Sequence, residues 1–391
     1  MTTHRQLGYY AEADCSLEDF AALTAQSTAA TSVPQATTIR HNIPCYDVSG
    51  LQQQLSAPDK RAHLMAEWAS VLGHGAGVFI LHGAVSDMAA IDQATDIYND
   101  IIRQEREANI SAADHFAAAG NNDRIWNSLQ KLCLASPDVF IRYFAHPAID
   151  AACEAWLGPN YQMTAQVNQV RPGGKAQQAH RDYHLGFQTA EVTATYPAHV
   201  HDLSPLMTLQ GGIAHCDVPI DSGPTKLLPF SQLYRPGYVA WRRPDFRAHF
   251  EANCVQLPLQ KGDALFFNPA LFHAAGENVS ADVQRMVNLL QISSAFGRAM
   301  ESIDRAAMCR ALCQPLSNAL QQGQLDLALL SCVASAAAEG YSFPTNLDRD
   351  PPEGGLAPIT QKQLLIQAVT ERWDSEQFAA ALDERESKQR P

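Results

Sequence analysis

Two triplets in the chain have the form His-x-Asp: His180-Arg181-Asp182 and His215-Cys216-Asp217. In extended backbone, residues two apart point to the same face, because strand side chains alternate with period two. Either triplet could therefore present an imidazole beside a carboxylate, which is two thirds of a 2-His-1-carboxylate site for non-haem iron. Such a triplet arises readily by chance in a chain with 14 histidines, so context has to choose between them. His215 lies inside the strand-like run Leu206 to Val218, where a satisfied strand residue is the expected role. His180 follows the turn Pro172-Gly173-Gly174 and precedes Tyr183, His184, Phe187 and Gln188, residues suited to a pocket mouth. Context favours His180 and Asp182.

A second histidine should stand on a later strand, facing back. Lys261 to Asn268 reads as a turn and then a buried strand, and His273 ends the apolar run that follows. Next come Ala274-Ala275-Gly276, small residues that allow close backbone approach to a bound group. Arg285 then enters an otherwise mostly apolar strand, Arg285 to Ile292. Burying a guanidinium unpaired is costly, so an arginine there calls for an anion. A dicarboxylate cosubstrate would meet it bidentately, in a geometry lysine cannot match. The alternative is an internal salt bridge to Asp or Glu. The stretch His199-Val200-His201-Asp202 also carries metal-binding residue types, but it sits between Pro197 and Pro205 and reads as a solvated loop or lid.

These residues need elements to hold them. The first 58 residues are weakly patterned and read as an irregular N-terminal arm. Regular structure is expected from Pro58-Asp59, with Leu64, Trp68, Val71 and Leu72 as the apolar face of a helix. A short buried strand follows at Val78 to Leu81, then a helical pattern from Ser86 to about Gly120. Further helices are expected at 137–144 and from His146-Pro147 to Leu157, where Gly158-Pro159 stops the chain. From Tyr161 the period changes to alternation, giving candidate strands at 161–171, 206–217, 225–229, 253–257, 263–267 and 284–294. Helices followed by short strands at this spacing suggest a double-sheet β domain with helical buttresses over 59–296. Residues 297–391 read as a helical extension, with helices at 298–322, 324–339, 359–373 and 374–386, packing on the barrel or forming a subunit interface.

Composition limits the possible partners. The chain has 391 residues, enough to bury a large core, and its 46% hydrophobic content is ordinary for a globular protein. A net charge of −13, with no basic run longer than two residues, argues against nucleic acid or an anionic membrane surface as partner. Neither a signal-peptide pattern nor an apolar stretch of membrane-spanning length is seen, so a cytoplasmic protein is expected. The nine cysteines are scattered without a Cys-x-x-Cys pair and read as reduced thiols, Cys309 and Cys313 as small buried helix residues.

The ordered set resembles the phytanoyl-CoA dioxygenase family of iron(II)/2-oxoglutarate oxygenases over roughly residues 62–295. The resemblance runs from Gly77-Val78-Phe79-Ile80-Leu81 and Leu157-Gly158-Pro159 through His180-x-Asp182 to Ser222-Gly223-Pro224 and Leu228-Pro229-Phe230-Ser231. It closes with Gly262-Asp263, with His273, Gly276 and Asn278-x-Ser280, and with Arg285. Two departures stand out: Gln232 replaces a histidine usual in the family, and Ala275 replaces a serine that often helps hold 2-oxoglutarate.

The resemblance implies a fold that is mainly β with flanking helices, a double-stranded β-helix of the jelly-roll or cupin-like kind with a helical C-terminal extension. It implies that His180, Asp182 and His273 bind Fe(II), and that Arg285 holds 2-oxoglutarate, with Gln169 and Asn278 as further cosubstrate contacts. Dioxygen would be the oxidant, and Tyr183, His184, Phe187 and Gln291 would line the substrate pocket. The expected reaction is hydroxylation of a C–H bond in a small molecule with release of succinate and CO2. A cupin-like metal enzyme that does not use 2-oxoglutarate, or a non-catalytic barrel acting as a binding module, are the rival readings. Substrate choice would lie in loops such as 185–205 and 232–252, and the C-terminal helices could support a homo-oligomer.

Overall fold

The computed structural model describes residues 8–108, 122–343 and 345–390. Ten strands form its centre: β1 (Thr38–Arg40), β2 (Ile43–Asp47), β3 (Val78–His82), β4 (Asn122–Ile125), β5 (Gln162–Val170), β6 (Thr208–Ala214), β7 (Lys226–Leu227), β8 (Ala264–Phe267), β9 (His273–Ala274) and β10 (Arg285–Ser293). Eight build one sheet in the order β1-β2-β3-β8-β6-β10-β5-β4, antiparallel throughout except for the β2–β3 pair. The opposing sheet is ragged. It consists of β7 paired with β9, extended by single bridges from His180 to His273 and from Leu227 to Val255. Two facing sheets of this kind make the double-stranded β-helix, and the cavity lies between them.

Alternation along the large sheet separates two environments. Met163, Ala165 and Val167 of β5, Leu209 and Ile213 of β6, and Met286, Leu290 and Ile292 of β10 join the main hydrophobic core. The residues between them face the cavity: Gln166 and Asn168, Gln210 and Gly212, and Arg285, Val287, Leu289 and Gln291. Helices cover the core side, among them Pro58–Gly73, Ser128–Ala135, Pro137–Phe144 and Pro147–Leu157. Three of these begin with proline at the first turn, where the missing N–H costs nothing and φ is already set.

Several elements differ from the sequence reading. Residues 1–58 are not an irregular arm over their described part. Helix Leu17–Thr24, capped by Ser16, packs Phe20 against Phe246 and Phe272, while β1 and β2 extend the large sheet. β2 escaped notice because it is five residues long and contains Pro44. The helical pattern from Ser86 corresponds to helix Met88–Glu107, and its expected part at 109–120 lies outside the described residues. Expected strand 253–257 contributes only the bridge at Val255. His199 to Asp202 form part of helix Ala198–Leu206, with Pro197 as its N-cap and Pro205 inside it, one residue before its end.

Helices Arg305–Gln321, Leu327–Ala337, Gln361–Glu371 and Ser375–Gln389 form the C-terminal part. Their Leu312, Leu316, Val333, Leu365 and Leu382 share one core with Leu64, Met163 and Leu290. The sheet is the organising element, but among the described residues fifteen α-helices surround ten strands, so the protein is more helical than "mainly β" suggests. All nine cysteines are free, and Cys309 and Cys313 are buried in helix Arg305–Gln321.

Candidate active site

The segment carrying His180 and Asp182 runs antiparallel to β9. The His180 N–H donates to the His273 carbonyl (3.0 Å), the His273 N–H to the His180 carbonyl (3.2 Å), and the Asp182 N–H to the Pro269 carbonyl (3.1 Å). Extended backbone turns His180 and Asp182 into the cavity and Arg181 away from it. Arg181 is fully buried there. Its guanidinium donates to the carbonyls of Ser231 (2.7 Å) and Tyr234 (2.9 Å) and lies on the rings of Tyr238 and Phe272. Gly237 makes room for it, since a Cβ at that position would sit 2.0 Å from the guanidinium carbon.

One ligand atom from each of His180, Asp182 and His273 lies within 4.8 Å of the others. His180 Nε2 is 3.6 Å from Asp182 Oδ1, and His273 Nε2 is 3.2 Å from Asp182 Oδ2. Each imidazole has its Nδ1 against a carbonyl two residues back, Gln178 at 2.9 Å and Leu271 at 2.8 Å. A carbonyl can only accept, so Nδ1 carries the proton and the Nε2 lone pair points inward, as a metal ligand requires. Burial lowers the His180 pKa. Burial alone would raise that of Asp182, but His180, His273 and Gln210 outweigh it and hold the carboxyl well below its usual range. Two imidazoles and one carboxylate, each offering one ligand atom, fit a divalent metal with coordination positions to spare.

The cavity beside this triad has a volume of about 350 Å³. At one end Arg285, the first residue of β10, is buried and donates to the carbonyls of Ser222 (2.9 Å) and Gly276 (3.4 Å). Among the described residues no carboxylate pairs with it, so the internal salt bridge weighed as an alternative is not seen there. Burial pushes its pKa down to about 10, which still leaves it cationic at neutral pH. Gln177 and Thr225 line the same cavity. Gln177 Oε1 accepts the Ala275 N–H at 3.1 Å, which leaves its NH2 group available to a ligand.

Other expected residues fall in different places. Phe187 and Gln291 line the cavity. Tyr183 is buried behind it and donates its phenol to Gln291 Oε1, and His184 turns to Ser204 Oγ at 3.1 Å. Gln169 is corrected by the pleat: it faces away, toward Asn99 and Arg171, and its neighbours Gln166 and Asn168 take the cavity side. Asn278 is corrected too. It is a loop clasp, donating to the carbonyls of Val170 (2.9 Å) and Val283 (2.8 Å) while accepting from Ser280. His215 is a satisfied core histidine between Thr95 Oγ1 (2.8 Å) and Tyr143 (2.7 Å), its pKa pushed down to about 3 by burial. His201 bonds the Thr193 carbonyl and Asp202 pairs with Arg235, so no metal group forms there. Gln232 donates to the Gly75 carbonyl, a structural contact. Trp126 also lines the cavity. Gln177, Thr225 and Gln210 were missed; the available signal for Gln210 was a carboxamide inside the apolar strand Thr208 to Ala214.

Fold and site together define a double-stranded β-helix protein whose cavity brings a His-Asp-His cluster and a buried arginine together. The family model of phytanoyl-CoA dioxygenase (PhyH) matches residues 73–287, more than half of the chain, and the chain belongs to that family. Curated relatives include dioxygenase trt7 of Aspergillus terreus (strain NIH 2624 / FGSC A1156), 27% identical over 159 residues, which are 41% of this chain and 50% of the relative. Dioxygenase andF of Emericella variicolor is 25% identical over 144 residues, 36% of this chain and 45% of the relative. Dioxygenase cdmD of Talaromyces verruculosus is 29% identical over 161 residues, 40% of this chain and 48% of the relative. The chain thus spans about half the length of the curated relatives it matches. Among solved structures, the non-heme alpha ketoglutarate dependent epimerase SnoN from nogalamycin biosynthesis is 20% identical, with a TM-score of 0.39 over 61% of this chain and 84% of its own. EvdMO1 is 16% identical, with a TM-score of 0.36 over 52% of this chain and 44% of its own. No helix among the described residues is long and apolar enough to cross a membrane.

Proposed function

We propose that the protein is an Fe(II)- and 2-oxoglutarate-dependent dioxygenase that hydroxylates a C–H bond of a small molecule. One observation carries this reading: the His180, Asp182 and His273 ligand atoms share a cavity with Arg285, a buried cation that has no carboxylate partner among the described residues. Bound iron with 2-oxoglutarate would supply the oxidising chemistry, and the balance is substrate C–H plus O2 plus 2-oxoglutarate giving C–OH, succinate and CO2. The chain supplies position and charge. His180, Asp182 and His273 would hold the iron, their Nε2 lone pairs fixed by the carbonyls of Gln178 and Leu271. Arg285 would take the far carboxylate of 2-oxoglutarate, and Gln177 and Thr225 would hydrogen-bond it where the family serine is replaced by Ala275. The apolar wall, with Val287, Leu289, Leu265 and Phe267, would keep water from the reacting centre.

The test is succinate formation from 2-oxoglutarate by protein reconstituted with Fe(II), with and without a panel of small molecules. Expected are loss of succinate formation by at least about 100-fold in His180→Ala and His273→Ala, and a rise of about tenfold or more in the 2-oxoglutarate KM for Arg285→Lys. If no 2-oxoglutarate is bound or consumed under any condition and Arg285→Ala changes nothing, a metal enzyme that does not use 2-oxoglutarate is the better reading.

A further inference from the structure

Gln210 of β6 and Gln291 of β10 are direct cross-strand partners on the cavity floor. Each has one end of its carboxamide already committed. Gln210 Nε2 donates to Asp182 Oδ2. A carboxylate only accepts, so this bond fixes the amide orientation and leaves Oε1 as an acceptor, buried and without a partner among the described residues. Gln291 Oε1 receives the Tyr183 phenol, whose proton has no other acceptor among the described residues. The Gln291 NH2 is thereby turned to the cavity as a donor.

The result is one pinned acceptor beside one pinned donor, on side chains whose Cβ atoms stand about 5 Å apart in such a pair. A group that fits must donate to Gln210 and accept from Gln291 at once. A carboxylate or phosphate oxygen cannot donate, and an ammonium cannot accept. A hydroxyl does both through a single oxygen. An acceptor buried without a partner carries a desolvation penalty, so the site discriminates against a ligand that leaves Gln210 Oε1 bare.

The remaining wall indicates what carries that hydroxyl. Trp126, Phe187, Val287, Leu289 and Met300 give it hydrocarbon surface. Gly212 keeps the floor low, since a Cβ there would meet Val287 Cγ1 at 3.0 Å. Arg124 is already engaged, donating to Gln166 Oε1 at 2.9 Å and lying over the Trp126 ring.

We propose that Gln210 and Gln291 form a hydroxyl-recognition pair and that the substrate is an uncharged, largely hydrocarbon alcohol. This rests on the oxygenase reading above and deepens it. Because Gln210 also bonds Asp182, the recognised hydroxyl is held beside the metal-binding side chains, and the pair doubles as a specificity element of the reaction site.

The experiment is a binding titration of the full chain loaded with Mn(II) and 2-oxoglutarate, followed by tryptophan fluorescence and by calorimetry. The probes are decahydro-2-naphthol, its methyl ether and decahydronaphthalene. The alcohol is expected to bind about tenfold more tightly than the other two, the worth of one good hydrogen bond. Gln291→Leu and Gln291→Met are expected to bring all three within about twofold by weakening the alcohol alone, with 2-oxoglutarate affinity unchanged, which also shows that the variants are folded. The proposal is overturned if the alcohol binds no better than the ether in wild type, or if the preference survives both substitutions. It is overturned equally if none of the three binds a protein that does bind Mn(II) and 2-oxoglutarate. Failure of Mn(II) and 2-oxoglutarate to bind in the first place sinks the oxygenase reading, and the proposal with it.

Discussion

Two buried arginines frame the candidate site, and their surroundings separate a structural cation from one waiting for an anion. Arg181 and Arg285 are each surrounded by carbonyls, and burial pushes each pKa down to about 10. Arg181 is enclosed by two carbonyls and two aromatic faces, whereas Arg285 borders open space. Arg181 is therefore expected to act as a positioning residue that fixes the strand between His180 and Asp182. Arg181→Leu should weaken Co(II) binding by about 10- to 100-fold while leaving far-ultraviolet ellipticity intact. Unchanged Co(II) affinity in a folded variant would remove that role. Side-chain chemistry was legible in the sequence for His180, Asp182, His273 and Arg285, since imidazoles, a carboxylate and a lone strand arginine are rare enough to notice. Gln169 was named where Gln166 and Asn168 face the cavity, because one residue of phase exchanges the two faces of β5 and polar residues on both faces conceal the phase.

At the scale of elements, strands that alternate over seven or more residues, or that form a continuous apolar run such as β8, were visible in sequence. β5, β6, β8 and β10 fall within their expected ranges, while β9 is two residues long and is held by β7 on one side and the bridge from His180 on the other. β3 and β8 are joined beyond their ladder by an ion pair at one end. His82 Nδ1 is 2.9 Å from Asp263 Oδ2, and Asp263 also accepts from the N–H groups of Gly83 and Gln260. The hydrogen bond to Asp263 raises the His82 pKa to about 10. A raised histidine pKa means that the contribution is complete below the unfolded value of about 6.5 and is lost as pH rises through about 10. The His82 side chain is 35% exposed, so solvent screening limits the effect to about 1 kcal/mol. Wild type is expected to be more stable than His82→Gln by that amount in denaturant melts at pH 6, with the gap closing by pH 10. A gap that stays constant or widens with pH would show that the ion pair does not operate.

For the whole molecule, the segments expected as arm, barrel and helical extension pack against one another. Phe20 packs on Phe246 and Phe272 of the barrel, and β2 lengthens the large sheet. Arg305, at the start of the first C-terminal helix, donates to the Met163 carbonyl on β5, the strand whose other face lines the cavity. Just before it, Met300 lines the cavity and Glu301 accepts the Asn127 N–H at 2.7 Å, beside Trp126. The sequence showed the C-terminal helices by their period but not their attachment, which depends on contacts far apart in the chain. A shared core predicts shared unfolding. Leu365, fully buried in helix Gln361–Glu371, is not among the cavity-lining residues yet belongs to the same core as Leu290 of β10. Leu365→Ala is therefore expected to cost about 2–5 kcal/mol, the usual range for emptying such a position. Tryptophan fluorescence measured in a Trp373→Phe background, which leaves Trp68, Trp126, Trp156 and Trp241 outside the extension, should report the same lowered midpoint as ellipticity at helical wavelengths. If the variant instead unfolds in two steps, with the helical signal lost first and the fluorescence midpoint unmoved, the C-terminal helices are an independent unit docked on the barrel.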